Sequence, residues 1–199
     1  MVLGRIVHNG DWDPTPHGLP NLLKTIAQDT TLHVQFRRMP VDLGKDDIFS
    51  FPVLYMTGQR KFQLTDAVRT RLRKYLDNGG TMLVDCAVGS SEFDKAFRDE
   101  IKLIYPDRQL KALPPEHALF TFISDTRHVE MAPLAKKLFG GVTNPRLEAI
   151  DTDGTLSVIY SRFSLSAGWE RLPHAYNIGY ADDDALKLGV NLLMYVVSH

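Results

Sequence analysis

The residues of this chain that can do chemistry gather in four short stretches. Asp11-Trp12-Asp13 precedes two prolines and His17, Thr57-Gly58-Gln59 ends an apolar run, Asp85-Cys86 is followed by Gly89, and Gly168-Trp169-Glu170 comes late. An aromatic ring between two carboxylates suits a polyhydroxyl ligand, because the ring stacks on a sugar face while the acids accept hydroxyl hydrogens. The same acids could instead cap backbone amides in a turn. Trp169 reads equally as packing, and Glu170 as a solvated acid or one paired with an arginine. Cys86 stands at a strand end before a helix, where a nucleophile elbow would hold a side chain out and helix amides would lower a thiol pKa. An elbow needs small residues two before and two after the nucleophile, and this chain has Val84 and Val88 there. A small buried cysteine therefore competes with a nucleophile. Asp85 is a candidate general base, and His117, His174 and His199 are the candidate histidine bases, with Glu116 beside His117. No HxH or HExxH spacing supports a metal site, so neither a metal nor a cofactor is expected.

These stretches matter only if the fold brings them together. Leu3 to His8 reads as a first strand ended by Asn9-Gly10-Asp11, and a helix follows from about Leu19 with Leu22, Leu23 and Ile26 on one face. A second strand is expected over Thr31–Phe36. Pro52–Thr57 is a continuous apolar run, as in a strand covered on both faces. Thr65 can cap a helix running to Leu76, Gly79-Gly80 ends it, and Thr81–Val84 is another buried strand. Val53 to Val84 is thus a parallel strand–helix–strand unit. Ser91–Ile104 is amphipathic, with Phe93, Phe97, Ile101 and Ile104 inward. The segment 107–144 is irregular, with a short strand expected near Leu119–Phe122 and a short helix near Pro133–Phe139. Leu147–Ile150 and Leu156–Tyr160 flank Asp153-Gly154 as a hairpin. Asp182-Asp183-Asp184 opens a last helix, with Leu186, Val190, Leu193 and Val197 in a stripe. In an open parallel sheet ligands sit beyond the carboxyl ends of the strands, so the four stretches should converge on that edge.

The length, 199 residues, suits one domain, and 44% hydrophobic with 24% charged residues is ordinary globular composition. With 23 basic and 24 acidic residues the net charge is -1, which leaves no electrostatic footprint for nucleic acid. One cysteine excludes an intrachain disulfide and a cysteine zinc cluster. No apolar run reaches bilayer-spanning length and no signal-peptide pattern precedes the first strand. The compartment is left open: cytoplasmic as the chain stands, periplasmic or membrane-attached if an N-terminal signal has been removed.

Taken in order, Gly10-Asp11-Trp12-Asp13, Phe51-Pro52-Val53-Leu54-Tyr55-Met56-Thr57-Gly58, Leu72 to Gly80, Tyr105-Pro106 with Leu113-Pro114, Gly168-Trp169-Glu170 and Gly189 to His199 resemble the bacterial domain-of-unknown-function family 4159 over essentially the whole chain. That resemblance implies an α/β fold of the class I glutamine amidotransferase-like type, shared with trehalose-utilisation (ThuA-like) proteins: a flavodoxin-like three-layer sandwich with a mainly parallel sheet and a late β-hairpin. The expected organisation is a single domain over 1–199 with the irregular insertion at about 107–144. Family members often carry a second acid where this chain has Cys86, and an acid-His-Pro step where it has Glu116-His117-Ala118. The elbow glycines of the amidotransferases are missing, so amidotransferase activity is not expected. The leading expectation is a non-catalytic module for a small ligand, a carbohydrate among the candidates, or for a protein partner. Its binding residues would be Asp11, Trp12, Asp13, Thr57, Gly58, Asp85, Cys86, Trp169 and Glu170. The alternatives are a hydrolase acting through Cys86 or Asp85, with His117 as a further catalytic candidate, and a structural subunit of a membrane-associated assembly packing through its sheet edge or final helix.

Overall fold

The computed structural model of the chain describes residues 3–29 and 39–199. It is α/β, with one seven-stranded, mostly parallel sheet and helices on both faces. In chain order the elements are β1 (Leu3–Val7), α1 (Gly18–Asp29), β2 (Met39–Asp42), β3 (Val53–Gly58), α2 (Asp66–Asp77), β4 (Thr81–Cys86), α3 (Ser91–Ile104), β5 (Lys111–Ala112), α4 (Pro133–Leu138), β6 (Leu147–Thr152), β7 (Thr155–Ser161), α5 (Ser166–Trp169) and α6 (Asp182–Ser198). Short 3-10 turns lie at Ile48–Ser50, Ala87–Gly89 and Ala118–Thr121. The strand order is β2-β1-β3-β4-β7-β6-β5, parallel from β2 to β7 and antiparallel for β6 and β5.

The local reasons are readable. The Thr65 hydroxyl accepts from the Val68 amide and starts α2, and the Ser90 hydroxyl does the same for Phe93 in α3. Every residue of β3 and β4 is buried, as the unalternating apolar runs require, and the two strands pair in parallel from Val53 opposite Thr81 to Gly58 opposite Cys86. Leu147–Thr152 and Thr155–Ser161 pair antiparallel, and Asp153 and Gly154 take φ values of 52° and 88°, the left-handed pair of a type I′ turn.

Alternation along the strands builds two cores. Leu3, Val53, Tyr55, Leu83 and Ile159 pack against α1, α5 and α6 on one face. Ile6, Leu54, Met56, Met82, Val84 and Cys86 pack against α2 and α3 on the other, where Phe93, Phe97, Ile101 and Ile104 are buried as the helical spacing predicts. Burying each of those large side chains stabilises the fold by roughly 1.5–3 kcal/mol.

One expectation falls outside the described residues, one is overturned, and two elements are new. The strand expected over Thr31–Phe36 lies outside the described residues, and the strand seen beside β1 is Met39–Asp42. Leu119–Phe122 is not a strand: the His117 ring accepts from the Leu119 amide and the Phe120 amide bonds back to the His117 carbonyl, which winds Ala118–Thr121 into a 3-10 turn. A two-residue edge strand at Lys111–Ala112 and the short helix α5 had no counterpart in the sequence reading.

Candidate functional site

At the carboxyl ends of the parallel strands, the residues facing α1, α5 and α6 are polar and buried: Arg5 on β1, Tyr55 and Thr57 on β3, Asp85 on β4 and Ser161 on β7. Polar side chains this deep must find partners. Asp85 finds three: it accepts from the Leu165 amide at 2.7 Å, the Ser166 amide at 3.2 Å and the Thr57 hydroxyl at 3.4 Å. It therefore ties the end of β4 to the start of α5. Burial raises its pKa from 3.8 to about 6, against the pull of those same donors.

Glu170 makes a second tie of the same kind. Its carboxylate accepts from the His17 amide at 2.5 Å and the Gly18 amide at 3.1 Å, the orphan donors that open α1. The Asn21 amide returns the favour, donating to the Trp169 and Glu170 carbonyls. Trp169 is fully buried, donates its indole N–H to the Ala185 carbonyl and lies 5.9 Å from the Tyr55 ring. These ties fix the His17 end of the loop 11–17 against α5, which Asp85 in turn anchors to β4.

Inside that loop sits Arg5, 1% exposed. Its guanidinium carbon is 5.7 Å from the centre of the Trp12 ring and 5.8 Å from that of Tyr55, and Nη1 meets Asp13 Oδ1 at 2.5 Å. Arg5 Nε and Nη2 and Thr15 Oγ1 are buried without a hydrogen-bond partner among the described residues, and the Tyr55 hydroxyl sits against the Thr57 and Ser166 hydroxyls. Burial and the nearby Asp85 charge hold the Tyr55 phenol well above its ordinary pKa.

Of the residues singled out in the sequence, the structure thus brings Trp12, Asp13, Thr57, Asp85, Trp169 and Glu170 to one face of the carboxyl edge. Asp11 lies on the rim, its carbonyl beside Gly58, where any Cβ would meet the Phe93 ring at 2.7 Å. His8 bridges β1 to β3, its Nε2 2.9 Å from the Thr57 carbonyl and its ring 4.9 Å from that of Phe62, with burial lowering its pKa.

Cys86 is turned the other way. One residue beyond Asp85, it belongs to the α2/α3 face, fully buried, its thiol donating to the Ser90 carbonyl at 3.0 Å. Burial pushes the thiol up to about 12, although Arg162 Nη1 lies 3.8 Å away and pulls in the opposite direction. The left-handed residues of the β4–α3 turn are Val88 and Gly89, at φ 49° and 68°, so the sharp bend begins two residues past the cysteine. His117 lines a separate cleft with Asp151 and Leu156 at the amino end of β7, the far end of the sheet from Asp85. His199 stacks on Tyr195 near the end of α6, and His174 lies in the loop before α6. One His-x-Glu spacing that the sequence reading overlooks, His128-Val129-Glu130, is exposed at both polar positions, and Val129 belongs to the core on the face opposite Cys86. Among the described residues no group of His, Cys, Asp and Glu is arranged to hold a metal ion, and no helix is long and apolar enough to cross a membrane.

The missed residues are Arg5, Thr15, Tyr55 and Ser166. A charge inside Leu3-Gly4-Arg5-Ile6-Val7 is the signal that could have found the first; Ser166 has no local signal. No curated protein matches the chain significantly. A family model matches residues 2–197, nearly the whole length, and the chain belongs to that family, the domain of unknown function DUF4159.

Proposed function

We propose that this chain is a single flavodoxin-like domain of the amidotransferase-like type that binds a small polar ligand without catalysing its conversion. The order β2-β1-β3-β4-β7 has the flavodoxin pattern, which reverses between β1 and β3. The observation that carries the binding reading is the unused hydrogen-bonding capacity at the carboxyl edge beside that reversal, on Arg5 and Thr15 among the described residues, next to the Tyr55 and Ser166 hydroxyls. The ligand contacts would run from Asp11, Trp12 and Asp13 inward to Thr57. Against a hydrolase stand the buried, high-pKa Cys86 on the wrong face and the Asp85 oxygens already held by amides. The last helix, whose stripe is buried from Leu186 to Leu193 and half-buried at Val197, argues for a role in the core rather than as an open docking face.

A calorimetric and thermal-shift panel of neutral sugars, sugar acids, nucleotides, inorganic phosphate and divalent ions tests this reading. Binding of a panel member that Trp12→Ala weakens at least tenfold, with Cys86→Ser unaffected, is expected. A panel without any binder, or a hydrolytic activity lost in Cys86→Ser alone, overturns it.

A further inference from the structure

We propose that Arg5 is the receptor for a small oxyanion, carboxylate or phosphate, which enters through the loop 11–17 and replaces the Asp13 carboxylate on the guanidinium. The inference rests on the binding reading of the same cluster and names its ligand class.

A guanidinium carries five donors in a planar fork and no acceptor, so its partner must supply lone pairs. Arg5 is 1% exposed and has one ion pair, to Asp13, with Nε and Nη2 unmatched among the described residues. A buried charge paired so incompletely is costly. The rings of Trp12 and Tyr55, 5.7 and 5.8 Å from the guanidinium carbon, flank the group and hold its plane before any ligand arrives. The Thr15 hydroxyl, without a partner among the described residues, can donate to an anion, and the Tyr55 and Ser166 hydroxyls lie in the same cluster. Asp85, on the same buried face, already has its oxygens engaged by the Leu165 and Ser166 amides and the Thr57 hydroxyl.

A path also leads inward. The Asp13 side chain is 26% exposed while Arg5 is buried, so this ion pair leads from solvent to the guanidinium. Asp13 is itself a carboxylate on the fork, an internal stand-in for the ligand's own oxyanion. A ligand with a carboxylate or phosphate makes the same bond and adds one to the unmatched edge, whereas a neutral sugar cannot compete with Asp13 for a cation.

The test is titration of the full chain with D-glucuronate, inorganic phosphate and D-glucose at low ionic strength, followed by calorimetry and tryptophan fluorescence. Glucuronate or phosphate should bind, glucose at least tenfold more weakly, and the better of the two anions identifies the source of the oxyanion. Asp13→Asn removes the internal competitor and should tighten anion binding by about tenfold, the scale of a charge-assisted hydrogen bond. Arg5→Lys, checked for folding by near-UV circular dichroism, should abolish it. If that variant does not fold, Trp12→Phe decides instead, since it should remove the fluorescence change while keeping the calorimetric signal. Glucose binding as well as glucuronate, or weaker anion binding in Asp13→Asn, overturns the oxyanion receptor and leaves the binding reading standing. No binding of any member of the wider panel overturns both.

Discussion

Asp85 and Cys86 are neighbours on β4 whose side chains leave by opposite faces, and their titrations separate accordingly. The Asp85 carboxyl titrates at about 6 in the fold against 3.8 in the unfolded chain, because burial opposes its charge. The folded state therefore holds the extra proton, so Asp85 favours folding below about pH 4, and this contribution is lost as pH rises through about 6. Measured by urea unfolding at pH 4 and pH 7, the stability of the natural chain relative to Asp85→Asn should fall by about 2 kcal/mol as pH rises. An equal difference at both pH values would mean that Asp85 is not desolvated. For Cys86, raised to about 12 and fully buried, iodoacetamide at pH 8 should leave the native thiol unlabelled and alkylate it completely in guanidinium. Rapid native labelling would restore the nucleophile reading. The split itself was legible: a period of two puts consecutive strand residues on opposite faces, and grouping Asp85 with Cys86 on one edge set that rule aside.

Elements with local signals were read closely, and those made by distant partners were not. Caps at Thr65 and Ser90, helical spacing from Phe93 to Ile104 and the Asp153-Gly154 turn lie within a few residues of the structure they specify. The short helix α5 is held by Asp85, 80 positions away, and the start of α1 by Glu170, more than 150 away, so no window on the sequence contains either cause. Glu170→Ala should leave the His17 amide unmatched and remove a negative charge from the α1 N-terminus. The expected loss is about 1–2 kcal/mol in urea unfolding, the range of a lost helix cap. An unchanged midpoint would make the Glu170 tie incidental. Gly154→Val forces a branched side chain to a φ of 88° and should lower stability by at least about 1 kcal/mol through strain in the turn. A melting temperature equal to that of the natural chain would count against the turn.

Across the whole molecule, β3 and β4 are the strands on which both cores depend. Tyr55 and Leu83 feed the α1/α6 face, while Leu54 and Met82 feed the α2/α3 face, and each strand has a parallel partner on both sides. Opening either one exposes apolar surface on both faces and breaks two ladders, so their amides should exchange only through global unfolding. β5 differs in every respect: two exposed residues at the sheet edge, paired on one side only. Its amides, with those of the segment 107–144 around it, should exchange through small local openings. Native-state hydrogen exchange followed by mass spectrometry should therefore rank Val53–Gly58 and Thr81–Cys86 slowest, with β7 and β1 next, β6 after them and Lys111–Ala112 fastest. The ranking bears on function as well as stability, because Tyr55 and Asp85 sit on the slowest strands and Asp13 on the loop above them. A rigid floor of this kind keeps the Arg5 neighbourhood in place beneath the loop 11–17, which is the arrangement a binding site needs. Exchange in β3 or β4 as fast as in β5 would remove that floor and, with it, the argument that the cluster is held ready for a ligand.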